Sequence, residues 1–270
     1  MNIADIYNLI LFEPIFNGLI FIYKYIPNLG VSIIILTLVI KLILYLPSLS
    51  SIKSQKRLQE VQPKLKAIQD KYKGNREELG RQVMKFYKEN KVSPFSSCLP
   101  LLIQLPILIA LYQAFLAVSQ TDPATHVLVA DRLQHLYEPL RNLFSTQSID
   151  PNFLGIFDLS KKGNWLFAIL AGAAQFWQSK MLISKQPAKV PGAKDESMTA
   201  AMNKQMTYFM PLITVFFGFQ FPAGLTLYWL VSTLFTALQQ WFIFKKHQDP
   251  TLILPAANKT NNESEKKGIN

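Results

Sequence analysis

Residues 31–47 read VSIIILTLVIKLILYLP, an apolar run long enough to approach a bilayer crossing and interrupted by a single charge, Lys41. Working outward, similar runs occupy residues 99–118, 165–183, 208–221 and 223–244. The charges lie between these blocks rather than among them, which is a membrane pattern. The sequence therefore predicts an all-α integral membrane protein with five transmembrane helices. The run 208–221 is short, about 14 residues or ~21 Å as a helix, so it implies local bilayer thinning or a sheltered position. Between the last two runs, Pro222 and Gly224 in Phe221-Pro222-Ala223-Gly224 predict a tight hairpin turn.

Residues 6–26 are a further apolar candidate, with Glu13-Pro14 near the middle and Asn8, Asn17 and Lys24 around it. A buried acid beside a helix breaker argues against a crossing. The preferred reading is an interfacial amphipathic helix within an outer N-terminal segment, 1–30; a sixth span is the alternative. No basic n-region, cleavage site or early lipid-attachment cysteine is evident in these residues.

The basic residues set the orientation. Segment 48–97 holds twelve Lys and Arg against five acids, and Lys185, Lys189, Lys194 and Lys204 fall in segment 184–205. Segment 119–164 holds four Lys and Arg against five acids. Basic segments thus alternate with poor ones, which places 48–97, 184–205 and the tail in the cytoplasm, with the N-terminus and the loop 119–164 outside. Topology absorbs most of the net charge of +11, so DNA is not an expected partner. Residues 51–91 read as a cytoplasmic helical hairpin. Pro63 is expected to kink or divide its first helix, and Gly74-Asn75 to form the turn. It is either a solvated linker or an element that meets incoming chains or lipid head groups. Residues 245–270, polar and rich in Asn and Lys, are expected to be a disordered cytoplasmic tail.

Lys41 carries two readings. A charge near the centre of a spanning helix costs about 2.5–3.5 kcal/mol on insertion scales. Its stem could snorkel past Pro47 to the interface, or its ammonium could face a hydrated cavity. Thr37 one turn earlier, Gln104, the pair Gln175 and Gln178, Ser232, Gln239 and Gln240 are the polar residues that would line such a cavity. No acid falls within the runs to relay protons, as a coupled transporter would need. The sequence has one cysteine, Cys98, read as a small apolar core residue, and three scattered histidines. It shows no phosphate loop and no nucleophile elbow, so no catalytic residue, metal or cofactor is expected.

CLPLLIQLPILIALY (98–112) and FPAGLTLYW (221–229) resemble the signature spans of the YidC insertases, as do QPKLKAIQDKY (62–72), VMKFYKENKVSPF (83–95) and MNKQMTYFMPLIT (202–214). The resemblance covers residues 31–244 and implies a membrane insertase and chaperone of the bacterial inner membrane. It implies a five-helix core around a hydrophilic groove open to cytoplasm and lipid, with nascent membrane proteins and lipids as partners. The ribosome and a secretion channel are further candidate partners. It also implies a positive groove residue at Lys41, where arginine is usual, and substrate-contacting roles for Gln175, Phe217 and Trp229. The alternative from another class is a small-molecule or ion transporter. An assembly chaperone that inserts nothing is a third reading.

Overall fold

The computed structural model describes residues 2–72, 74–90, 92–93, 99–119, 121–122, 125, 127–182 and 205–246. The expectations for Cys98, for the tail from residue 247 and for all but the last residue of segment 184–205 fall outside them.

The N-terminal apolar run is helical throughout. It comprises α1 (Ile3–Tyr7), a π-helical turn (Asn8–Phe12) and α2 (Glu13–Tyr25). Pro14 does not break it. The proline stands in the first turn of α2, and the wider π register just before it accommodates the ring. The run Ile3–Tyr25 is long and apolar enough to cross a membrane. Phe12, Phe16, Leu19, Ile20 and Tyr23 along it belong to the same buried core as the other spans, so segment 1–30 packs as part of the bundle. Asn17, one of the polar residues around Glu13-Pro14, is itself buried. Its amide donates to the carbonyls of Glu13 and His135, both at 2.8 Å, and its oxygen accepts from Tyr137 N–H at 2.7 Å. A polar group fully paired in this way is tolerated in a core.

The first predicted span ends earlier than expected. Helix α3 (Leu29–Ile43) stops at Leu44, and α4 (Tyr45–Lys71) leaves it at 68°. Pro47 lies inside the first turn of α4, where a missing N–H costs nothing. Pro63 neither kinks α4 into two helices nor ends it. It sits on the exposed face, where the freed carbonyl can be solvated. Helix α5 (Arg76–Glu89) then packs back on α4, capped by Asn75, whose side chain accepts from Glu78 N–H at 3.1 Å.

The remaining apolar runs are helices: α6 (Leu99–Ser119), α9 (Trp165–Met181), α10 (Met210–Gln220) after a π turn at Gln205–Phe209, and α11 (Ala223–Lys246). Between α6 and α9 lie the short helices α7 (Ala130–Leu133) and α8 (Glu138–Phe144) and a small hairpin of β1 (Asn152–Phe153) and β2 (Phe157–Asp158). Among the described residues, three helices are long and apolar enough to cross a membrane, Ile3–Tyr25, Leu102–Ser119 and Ala223–Lys245, and the bent α3–α4 pair makes a fourth if it is one span. The chain is thus a mostly helical membrane protein.

Helix α9 packs closely against both α10 and α11. Glycine allows it: a methyl on Gly218 of α10 would sit 2.7 Å from Cβ of Ala168 on α9. Gly218→Ala should therefore lower the unfolding midpoint of detergent-solubilised protein, at a cost of about 1–3 kcal/mol from overpacking. Ala168→Gly in the same chain should recover part of that loss, read by thermal unfolding of all three variants.

Candidate functional site

Three helices bring polar side chains to one point. Helix α3 ends just past Lys41, α6 begins shortly before Gln104, and α11 carries Tyr228, Ser232 and Thr236 at four-residue intervals on one face. The Lys41 ammonium donates to Thr236 Oγ1 at 3.2 Å and to Gln104 Oε1 at 3.5 Å. Gln104 Nε2 in turn donates to the Tyr228 hydroxyl. Thr236 donates to the Ser232 carbonyl at 2.9 Å, which turns its oxygen towards the lysine.

Lys41 forms no ion pair among the described residues, so its charge rests on neutral oxygens. A cation in an apolar bundle needs such partners. The ammonium has turned sideways onto two neighbouring helices, so its polar contacts lie within the bundle rather than only at its edge.

A second polar contact lies at the α3–α4 bend, where Ser48 donates to Gln239 of α11 at 2.8 Å. Gln239 Nε2 and Gln240 Oε1 are buried without a hydrogen-bond partner among the described residues. About two turns along α4, Lys56 lies over the Phe244 ring at 5.5 Å. These contacts hold the start of α4 against the end of α11.

The other sequence candidates are placed elsewhere. The Thr37 hydroxyl donates to Ile33 O of its own helix at 2.6 Å, so it satisfies itself one turn from Lys41. Gln175 and Gln178 are half-buried on α9 and make no hydrogen bond among the described residues. Phe217 and Trp229 meet through Phe221. Phe217 stacks on Phe221 at 5.6 Å, Phe221 lies 6.5 Å from Trp229, and Tyr112 of α6 closes on the same ring at 5.7 Å. Trp229 precedes Thr236 by seven residues, or about 10 Å along α11. The lysine cluster and the aromatic cluster are thus two levels of one face.

The α10–α11 turn closes the aromatic end. Pro222 occupies the break, whereas Gly224 already lies in the first turn of α11 and serves close packing. Its missing side chain leaves room for Ile33 Cδ1 and for the Leu159 carbonyl. The N–H groups of Ala223 and Gly224 donate to Lys161 O at 2.8 Å and Leu159 O at 2.9 Å, pinning the turn to the segment after β2.

Sequence reasoning missed Tyr228 and Thr236. Their spacing with Ser232 was the available signal, but a tyrosine in an apolar run reads first as packing. No cluster of His, Cys, Asp or Glu among the described residues could hold a metal ion. The site holds a charge and hydrogen-bond donors, with no nucleophile and base pair beside them.

A sequence model of the family described as "60Kd inner membrane protein" matches residues 21–250. Curated relatives named "Membrane protein insertase YidC" are similar over most of the chain. The Geobacter metallireducens protein is 32% identical over 234 residues, covering 86% of this chain and 36% of its own length. The Histophilus somni (strain 129Pt) protein is 35% identical over 234 residues, with the same shares. The Lawsonia intracellularis protein is 32% identical over 238 residues, covering 88% of this chain and 39% of its own. The chain therefore spans somewhat over a third of the length of these relatives.

The Gln104–Tyr228 contact ties α6 to α11. Tyr228→Phe should strand the Gln104 amide and destabilise the detergent-solubilised protein by about 1–3 kcal/mol. Adding Gln104→Leu should cost less than the sum of the single changes. Additive losses in denaturant titrations would show the contact to be idle.

Proposed function

The chain belongs to the 60Kd inner membrane protein family, and from that premise we propose that it is a membrane protein insertase and chaperone. It receives hydrophobic segments of nascent proteins in a polar groove and releases them into the bilayer. The observation that carries this reading is the Lys41 ammonium, held inside the bundle by Gln104 and Thr236 with no ion pair among the described residues.

On this reading five helices span the bacterial inner membrane: α3, α6, α9, α10 and α11. The N-terminus lies outside and the C-terminus in the cytoplasm, in keeping with the basic segments 48–97 and 184–205. The run Ile3–Tyr25 lines the outer half of the bundle, on the membrane surface or across it. The groove opens to the cytoplasm at the α3–α4 bend and to lipid between α6 and α10. Tyr112, Phe217, Phe221 and Trp229 close its outer end.

The chemistry is a catalysed partition with no covalent step. A hydrophilic tail crossing hydrocarbon meets several kcal/mol per charged or unpaired group. A wet groove reaching part of the way shortens the dry path, and the short α10 shortens it further. Lys41 attracts acidic groups of the tail. The guest's apolar segment passes along Phe217 and Trp229 into lipid, and burial of that segment drives release, so no nucleotide is required. Gln175, Gln178 and Ser232 would supply further polar contacts, and Thr37 would shape the wall below the lysine. Nascent membrane proteins and lipids are the partners; a ribosome and a secretion channel would deliver clients to the α4–α5 hairpin. The transporter reading finds no support at the site, because no titrating acid accompanies Lys41.

In insertase-depleted cells, Lys41→Ala should slow insertion of clients with acidic tails about tenfold, equivalent to ~1.4 kcal/mol, while Lys41→Arg retains most activity. Unchanged rates for Lys41→Ala would remove the charge from the mechanism. Lys41→Cys, in a chain carrying Cys98→Ser, should react with aqueous thiol reagents from the cytoplasmic side only.

A further inference from the structure

The hairpin between β1 and β2 carries the only non-glycine residue with positive φ among the described residues, Leu154 at φ 56°. Gly155 follows at φ 72°, and Ile156 N–H donates to Phe153 O at 3.3 Å. Positive φ at both central positions is the type I′ turn, which favours Asn-Gly. A leucine there is strained, because its Cβ crowds the backbone. It gains no shelter in exchange: Leu154 is 67% exposed and Ile156 74% exposed. In water this tip would combine strain with bare apolar surface. In the head-group and acyl boundary of a bilayer, the same side chains would be solvated.

Depth supports that placement. The Phe153 ring packs so closely on Gly30 that no side chain could stand there, and the Phe157 ring lies 4.9 Å from Phe167. Gly30 and Phe167 belong to the first turns of α3 and α9. The hairpin therefore flanks the helices where their apolar runs begin, rather than standing above them. Trp165, 61% exposed, opens α9 at the same level and heads the exposed row that continues at Ile169. Tryptophan at a helix end is typical of the membrane interface. Charge agrees as well. Burial raises the Asp158 carboxyl, but hydrogen bonds from Ser160 and Lys161 outweigh it and hold Asp158 below its ordinary value, so Lys161 is neutralised by its 3.0 Å ion pair. Lys162 is exposed, has no ion pair among the described residues and lies three residues before Trp165.

We propose that Leu154, Ile156 and Trp165 form a bilayer-interface anchor at the end of the bundle away from α4–α5. Its ligand is lipid: acyl chains meet the tip, and an anionic head group meets Lys162. The proposal rests on the reading that the bundle spans a membrane. The anchor holds the β hairpin, and through Leu159 and Lys161 the α10–α11 turn, at a fixed depth.

The test uses the full chain with Cys98→Ser, purified into phosphatidylethanolamine–phosphatidylglycerol vesicles. An environment-sensitive dye is attached through Ile156→Cys, Asn142→Cys or Phe216→Cys. Lipids bearing a nitroxide near the head of the acyl chain should quench about half the emission at Ile156 and Phe216, and little at exposed Asn142 of α8. Leu154→Asn keeps a favoured I′ turn and should reduce quenching at Ile156 while the fold survives. Quenching at Phe216 but not at Ile156 overturns the anchor alone. If Phe216 also escapes quenching, the spanning reading falls and the anchor with it. An Ile156 dye shielded only in native membranes, and not in vesicles, assigns the tip to a protein partner and overturns lipid as its ligand.

Discussion

An ammonium group inside an apolar helical bundle must be given oxygens, and the structure around Lys41 is arranged to supply them. Gln104 reaches it from α6 and Thr236 from α11. Neither helix adjoins α3 in sequence, so the polar contact joins three separate apolar runs at one level. Tyr228 then fixes the Gln104 amide from α11. Hydrophobic packing alone would leave the rotation of α11 about its axis loosely set. A buried polar chain of this kind selects one rotation, because any other leaves several groups unpaired.

The opposite end is closed by different means. Asn17 fastens α2 to the segment before α8, and Tyr23 accepts from Asp150 N–H at 2.9 Å. Arg141 collects the carbonyls of Leu133, Gln134 and Leu136 with contacts of 2.8 to 3.2 Å, which satisfies the end of α7. The carbonyls of Leu159 and Lys161 hold the α10–α11 turn. Backbone and side-chain hydrogen bonds therefore seal the end that carries the β hairpin. At the Lys41 end, by contrast, α3 bends away from the bundle. On the proposed route, access is from the end where α3 bends away.

The sequence disclosed the apolar runs, the isolated charge and the break at Pro222, since each rests on composition over many residues or on proline. It did not disclose where α3 ends. Leu44 and Tyr45 carry no glycine or proline, and the nearest proline, Pro47, serves as a helix start instead of a stop. At Glu13-Pro14 a π turn absorbs the proline, and nearby Asn17 is paired across more than a hundred residues of chain, which reading along one helix cannot show. Polar residues in the runs proved ambiguous. Gln104 joins the lysine cluster, Thr37 bonds its own helix, and Gln175 and Gln178 join neither cluster, although all four read alike as polar interruptions. Partners in a bundle are decided by helix rotation, and periodicity along a single helix does not encode it.

The choice of lysine over arginine has a consequence for release on the proposed route. An ammonium offers three donors and no planar fork. Here its contacts, at 3.2 and 3.5 Å, are long for charge-assisted hydrogen bonds. A guest carboxylate can therefore displace neutral oxygens at small cost, and it is held as a point-charge pair without bidentate geometry. A guanidinium would grip the same carboxylate through two parallel bonds. A site that must hand its guest on is better served by the weaker grip. Where the guest's tail is neutral, the Gln104 and Thr236 oxygens keep the ammonium solvated, so the route does not depend on an acidic client to keep the bundle stable.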